Sequence, residues 1–271
     1  MMRGNPTLLF ALALLAGWLL LAAFGPALAP YDPQASNIAQ ALQAPSARHW
    51  FGTDHLGRDI LSRVMVATRI DMTIAFAAVG IAFLIGGPLG TLLGYRGGRL
   101  DNLASRVVDM LMAFPMFVMA MALVAAFGNS VANIVYATAL INLPFYIRVA
   151  RAEAAQRRNS GYVLAARLSG NSHGQVVLAV LLPNILPILL VQMSLNMGWA
   201  ILNAAGLSFI GLGVQPPTAE WGIMVAEGAA QIAGGRWWPA LFPGLALMLA
   251  VLCFNLLGDG LRDALDPRQR P

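Results

Sequence analysis

Residues 148–174 read RVARAEAAQRRNSGYVLAARLSGNSHG, and an apolar run lies on either side. The stretch is too polar for hydrocarbon, where an arginine at the centre of a span costs about 2.5–3.5 kcal/mol. It is too amphipathic to be a bare loop. Asn159 and Ser160 offer oxygens for a helix N-cap, and Gly161 to Leu168 (GYVLAARL) is compact and helix-friendly. Gly170 then supplies a stop, because a glycine takes the left-handed conformation at little cost. Tyr162, Val163 and Ala166 fall on one helical face, with Leu164, Ala165 and Leu168 completing the turns and Arg167 off that face. This spacing predicts a short helix held at a membrane surface between two spans. Such a helix can enter a groove on a soluble partner and pass force to the spans it joins.

The rest of the chain fits a membrane setting. Of its 271 residues, 58% are hydrophobic and 11% charged. Soluble domains carry about 25% charged residues, so the deficit decides the class: an all-α integral membrane protein. Long unbroken apolar runs exclude a β-barrel, whose strands alternate polar and apolar residues. Every basic residue other than histidine is arginine, and the formal charge is +5. The arginines flank apolar runs and form no single stripe, so nucleic acid is not an expected partner; the lipid bilayer is. The lone Cys253, within the last apolar run, reads as a small buried thiol.

Six spans are expected. Thr7 to Ala29 is uncharged and too long for the apolar core of a signal peptide, so residues 1–29 read as a retained first helix. Residues 30–71 form an outer, periplasmic loop. Residues 72–262 form a five-helix core. Its spans are Met72–Tyr95, Asp109–Phe127, Val131–Ile147, one within Val176–Ala205, and Ala240–Leu257, with the lever loop at 148–175. Residues 263–271 make a polar tail. Gly86, Gly87, Gly90 and Gly94 suit close helix packing. Gly206 to Gly222 reads as a turn-rich outer segment.

Arginine placement sets the orientation. On this division 12 arginines lie inside (Arg3, Arg96, Arg99, Arg106, Arg148, Arg151, Arg157, Arg158, Arg167, Arg262, Arg268, Arg270) and 5 outside (Arg48, Arg58, Arg63, Arg69, Arg236). The positive-inside rule then gives both termini and the lever to the cytoplasm.

Chemistry inside the chain is sparse. A phosphate loop needs lysine, and there is none; no zinc-protease motif or Cys/His cluster occurs. An ion-coupled carrier would carry ionisable groups deep in its spans. Here Asp109 reads as a local pair with Arg106, and Asp259 with Arg262. Gln192, Asn196 and Asn203 share a face of the fifth span, and Asn142 with Tyr146 makes a similar pair in the fourth. Amides at membrane depth face protein or a watery path, so these residues are translocation-path candidates, weighed against interhelical hydrogen bonding. His49, Asp54, His55 and Asp59 are metal-ligand types without ligand spacing; a structured outer loop outweighs a metal site, and none is expected. The methionines of the third span read as core packing, and His173 as the polar end of the lever helix.

Four segments carry a family resemblance: FGTDHLGRDILSR at 51–63, GYVLAARLSG at 161–170, GLSFIGLGVQPPTAEWG at 206–222 and FNLLGDGLRDALDPR at 254–268. They resemble the permease subunits of dipeptide, oligopeptide and nickel ABC importers, of the second-permease type. The lever resembles the coupling loop of such importers, although Leu164 replaces the usual Glu of the E-A-A motif and Ser169 a usual Leu. The resemblance implies a type I importer permease fold in a bacterial inner membrane, with Gly161–Leu168 and Gly170 as the ATPase-coupling residues. It implies a second homologous permease, two cytoplasmic ATPases holding ATP and Mg, and a periplasmic binding protein that delivers peptide, nickel or a metal chelate. The chain itself would hold no cofactor and catalyse nothing. The rivals are a self-sufficient secondary carrier or channel, which would carry inverted repeats and midplane charges, and an intramembrane enzyme, which would need a catalytic dyad.

Overall fold

The computed structural model describes residues 6–265. Arg3, Arg268 and Arg270 of the arginine count, and the end of the 254–268 motif, lie outside the described residues. Regular structure in this range is helical: α1 (Pro6–Leu28), α2 (Ile60–Arg96), α3 (Gly98–Ala113), α4 (Met116–Phe127), α5 (Val131–Arg157), α6 (Gly161–Leu168), a single turn α7 (His173–Gln175), α8 (Leu182–Phe209), α9 (Trp221–Ile232) and α10 (Trp238–Leu265). A π-helical stretch, Val176–Leu181, joins α7 to α8, so His173–Phe209 forms one rod.

Among the described residues, four helical units are long and apolar enough to cross a membrane: α1, α2, the rod and α10. A fifth results if α3 and α4, bent by 90°, count as one broken span. The straight third span expected at 109–127 is therefore corrected. Pro115 lacks the N–H a helix needs and holds Phe114 in an extended conformation (φ −77°, ψ 139°), so the chain turns there. Asp109 falls in the amphipathic α3, not in the apolar run. The expected fourth span lies in α5, where Asn133, Asn142 and Arg148 dilute the apolar content.

α2 is the central element. Asp59 caps it, its carboxylate accepting from the Ser62 N–H at 2.8 Å, and no glycine or proline interrupts it before Gly80. Residues 60–71, assigned to the outer loop from sequence, therefore form its first turns. At about 1.5 Å per residue its 37 residues exceed the roughly 30 Å of hydrocarbon, so an end projects beyond it. One face of α2 meets α5 backbone to backbone. A Cβ at Gly86 would lie 2.6 Å from the Tyr146 Cβ, one at Gly90 2.9 Å from the Ala150 Cβ, and one at Gly94 3.0 Å from the Arg151 Cα. The small residues recur every four positions, which keeps them on one face.

The other faces close two apolar cores. One joins α1, α2, α8, α9 and α10 around Trp221, Phe254, Ile185 and Leu189. The second joins α2, α4, α5 and α8 around Ile74, Ile134, Ile141 and Leu207. Met119 and Met121 pack on the second core, in line with the packing role read from the Met-rich run, and Cys253 is buried.

Candidate functional site: the surface helix, its seat and the interior amides

α6 spans the residues the sequence gives it. Ser160 stands at its N-cap with extended backbone (φ −70°, ψ 154°), but its hydroxyl donates back to the Arg157 carbonyl at 2.6 Å and does not cap α6. The stop is as expected. Gly170 adopts φ +85°, and the N–H groups of Ser169, Gly170 and Asn171 return to the carbonyls of Ala165, Arg167 and Ala166. Val163 is fully buried and Ala166 half-buried against Tyr95, Val176, Val177 and Leu181. Tyr162, Leu164, Ala165 and Arg167 are exposed, and Leu168 is 89% exposed. Tyr162 thus leaves the face expected for it. α6 is a two-faced plate, seated by one side on the ends of α2 and the rod and presenting leucines on the other.

The helix leading into α6 is tied down by ion pairs. Arg148 donates to Asp109 of α3 at 2.6 Å, Arg151 makes a two-pronged pair with Asp101 of α3, and Arg157 pairs with Glu153. The Asp101 carboxylate pushes the Arg151 guanidinium further above its ordinary value, chiefly through that hydrogen bond. Asp109 therefore pairs across helices and not with Arg106 as its spacing suggested. Asp259 and Arg262 form no ion pair among the described residues. His173 does not end the lever helix; it opens α7, within a capping box of Ser172 and Gln175, and its Nδ1 lies 3.1 Å from the Tyr95 hydroxyl.

The interior amides come together only in part. Gln192 donates to Asn196 at 2.8 Å along α8, while Asn203 and Asn142 donate to carbonyls one turn earlier in their own helices, Trp199 and Thr138. None of these bonds links two helices. Asn142, Asn196 and Asn203 are buried, and Gln192 is half-buried. The Thr138 hydroxyl lacks a partner among the described residues, while the Asn196 Nδ2 and the Tyr146 hydroxyl lie beside each other across α8 and α5 without a well-formed hydrogen bond. Thr138, Asn142 and Tyr146 fall at i, i+4 and i+8 on α5, so this helix carries a polar stripe longer than the pair read from sequence.

Comparison with known proteins decides the family to which a chain with this short surface helix and these buried amides belongs. Residues 86–271 match the model described as the binding-protein-dependent transport system inner membrane component, and residues 1–45 match the N-terminal TM domain of oligopeptide transport permease C. The chain belongs to this permease family. It is 44% identical over 268 residues to the probable D,D-dipeptide transport system permease protein DdpC of Escherichia coli strain K12, covering 99% of this chain and 90% of that one. It is 43% identical over 238 residues to the nickel transport system permease protein NikC of the same strain (88% and 86%). The glutathione transport system permease protein GsiD of E. coli O1:K1 is 41% identical over 262 residues (96% and 83%).

In this permease the motif at 51–63, between α1 and α2, is a buried charge cluster. The Asp54 carboxylate accepts from the N–H groups of Leu56 and Arg58 and from the Arg58 guanidinium at 2.6 Å. Arg58 also reaches Glu227 of α9 at 3.2 Å, and Arg63 lies 3.6 Å from Asp54 and 3.8 Å from Glu227. Arg58 and Arg63 are almost wholly buried. Ligand atoms of Asp54, His55 and Glu227 lie within 4.8 Å of one another, but both carboxylates already face two guanidiniums, a poor setting for a cation. His49 pairs with Asp59 at 2.9 Å, and Trp238 donates its indole N–H to the Thr53 carbonyl. The motif thus locks the segment before α2 to α9 and α10.

Sequence reasoning missed α9 and its cap. The Glu220 carboxylate accepts from the N–H groups of Gly222 and Ile223, and Asp71 accepts from Trp221 at 3.2 Å. Two buried carboxylates therefore sit side by side on three consecutive amides, with neither in an ion pair among the described residues. The only hint in the sequence is the acid standing immediately before Trp221.

Proposed function

We propose that this permease is one of two membrane subunits of an ATP-driven importer, with α6 as its coupling helix. The observation that carries the reading is the two-faced α6. Val163 and Ala166 hold it on the ends of α2 and the rod, so a push on the plate is a push on two long helices. Leu164 and Leu168 stay exposed on a surface that a soluble domain would cover. The chain carries no phosphate loop, so the energy comes from elsewhere. In this reading two ATPase subunits bind ATP and Mg and engage the two coupling helices. A second homologous permease completes the path, and a periplasmic binding protein delivers the cargo.

The permease crosses the bacterial inner membrane six times, with both termini in the cytoplasm; the arginine distribution supports that orientation. α3 and α4 form one broken crossing, and α5 supplies another despite its polar residues. Cargo is a peptide, nickel or a metal chelate; the names of the relatives, which mention dipeptides and nickel, support that range. Gln192, Asn196, Asn203 and Asn142 serve the path, supported by the Asn196 amide and Tyr146 hydroxyl, which face each other without a well-formed hydrogen bond and so keep hydrogen-bonding capacity at depth.

The test is co-purification. A C-terminally tagged chain extracted in mild detergent is expected to bring down an ATPase and a second permease. A chain that purifies alone and transports in vesicles without ATP would replace this reading with a secondary carrier or channel.

A further inference from the structure

Beside α6 lies an open cavity of about 610 Å³, lined by Tyr95, Arg96, Arg158, Asn159, Arg167 and His173. No carboxylate lines it. Elsewhere in the stretch around α6, Arg148, Arg151 and Arg157 each have a carboxylate partner. Arg96, Arg158 and Arg167 form no ion pair among the described residues, yet they converge on one space. Like charges brought together without a counterion repel, so the arrangement is best satisfied by an anion from outside the chain.

The walls are held in place. The contact between Tyr95 and His173 fixes the rear. Arg158 lies along the backbone at Gly97, where a Cβ would come 2.5 Å from its Nη1; Gly97 has φ +66°, so glycine is favoured there twice over. Guanidinium forks match the oxygens of a phosphate, and several can share one phosphate from different sides, whereas a single carboxylate is satisfied by one fork. The position is informative too. The apolar run of α2 ends at Tyr95, and that of the rod begins at Val176, just after His173. The cavity therefore sits where two long apolar helices leave the hydrocarbon, at headgroup depth, where basic pockets bind anionic lipids.

We propose that this cavity binds the phosphate of an anionic phospholipid headgroup. The site would tether the seat of α6 to the membrane surface. It goes beyond the importer reading and does not depend on it.

The test uses the full chain, with any subunits that co-purify, in a neutral detergent. Phosphatidylglycerol, phosphatidylcholine and inorganic phosphate are titrated, with native mass spectrometry and thermal unfolding as readouts. Phosphatidylglycerol is expected to bind as one saturable adduct and raise Tm by several degrees, and phosphatidylcholine to do neither. Arg96→Gln with Arg158→Gln should weaken phosphatidylglycerol binding tenfold or more. Arg96→Lys with Arg158→Lys should weaken it less, and Arg99→Gln, outside the cavity, not at all. If the glutamine pair fails to fold, the lysine pair and Arg99→Gln still decide. Equal retention of both lipids, or unchanged binding in the double variants, would overturn the proposal. Inorganic phosphate that binds below 1 mM and is not displaced by phosphatidylglycerol would assign the site to the free ion. Exclusion of the lipid by a bound ATPase subunit would assign it to that interface.

Discussion

Gly170 carries the sharpest test of the coupling helix. At φ +85° a side chain costs about 1–2 kcal/mol, and nothing lies within 4 Å of its would-be Cβ, so the penalty is conformational and not a clash. Gly170→Val is therefore expected to leave insertion intact while shifting the end of α6 and cutting transport severalfold. Ala165→Asp attacks the exposed face instead, placing a charge among Leu164 and Leu168. In reconstituted vesicles both variants should hydrolyse ATP with little transport; full transport by either would remove α6 from the coupling role. Asn196→Leu probes the interior. Its Oδ1 has one partner, Gln192, and its Nδ2 no well-formed hydrogen bond among the described residues, so loss of the amide should cost little stability. Transport should fall more than assembly, read as uptake against yield of intact complex; equal loss of both would make Asn196 structural. Asp71 gives the opposite expectation. Asn in its place still accepts from the Trp221 N–H but removes a carboxylate buried beside Glu220, so Asp71→Asn should unfold at the same or a higher temperature. A drop in Tm of 5 °C or more would show that the charge itself is needed.

At the scale of elements, the α2–α5 contact ranks above any single side chain. Gly90 stands where a Cβ would meet the Ala150 Cβ at 2.9 Å and the Ile147 backbone more closely still. Gly90→Val must push two helices apart, and overpacking of this kind costs about 1–3 kcal/mol. The expected result is a clear fall in folded yield and Tm, with Gly80→Val, facing open space, as the near-neutral control. The small-residue pattern of α2 was legible in the sequence because it is local and periodic, as were the bounds of α6 and its stop at Gly170. Other features were not. The break at Pro115 hides inside a run that is apolar throughout, and one proline outweighs that run because it removes a donor and constrains its neighbour. The partner of Asp109 was misread as Arg106 because sequence spacing sees pairs within a helix, whereas Arg148 reaches it from α5. α9 was missed because its start depends on a Glu at the cap, a weaker signal than Ser, Thr, Asp or Asn. Among the path candidates, the shared face was legible, but the return of each Asn142 and Asn203 amide to its own helix was not.

At the scale of the whole molecule the claim to test is six crossings with both ends inside. The arginine excess sets the expectation, but among the described residues four helical units pass as spans on length and apolar content, or five with the bent pair. The outcome hinges on α3 with α4 and on α5. If the bent pair and α5 each cross, Asn129 lies outside and Gln156 inside. If neither crosses, both positions lie on the side where α2 ends. Cys253, the one native thiol, is buried, so Cys253→Ser gives a background for single reporters. A thiol reagent that cannot cross membranes is applied to intact spheroplasts with Gln43→Cys, Asn129→Cys or Gln156→Cys. The expected pattern is labelling at 43 and 129 and protection at 156 until the membrane is opened. Protection at 129 together with 156 would leave α3–α4 and α5 on the cytoplasmic face and reduce the crossings to four. Labelling at 156 in intact cells would put α6 outside, where no ATPase can reach it, and the coupling reading would fall with the topology.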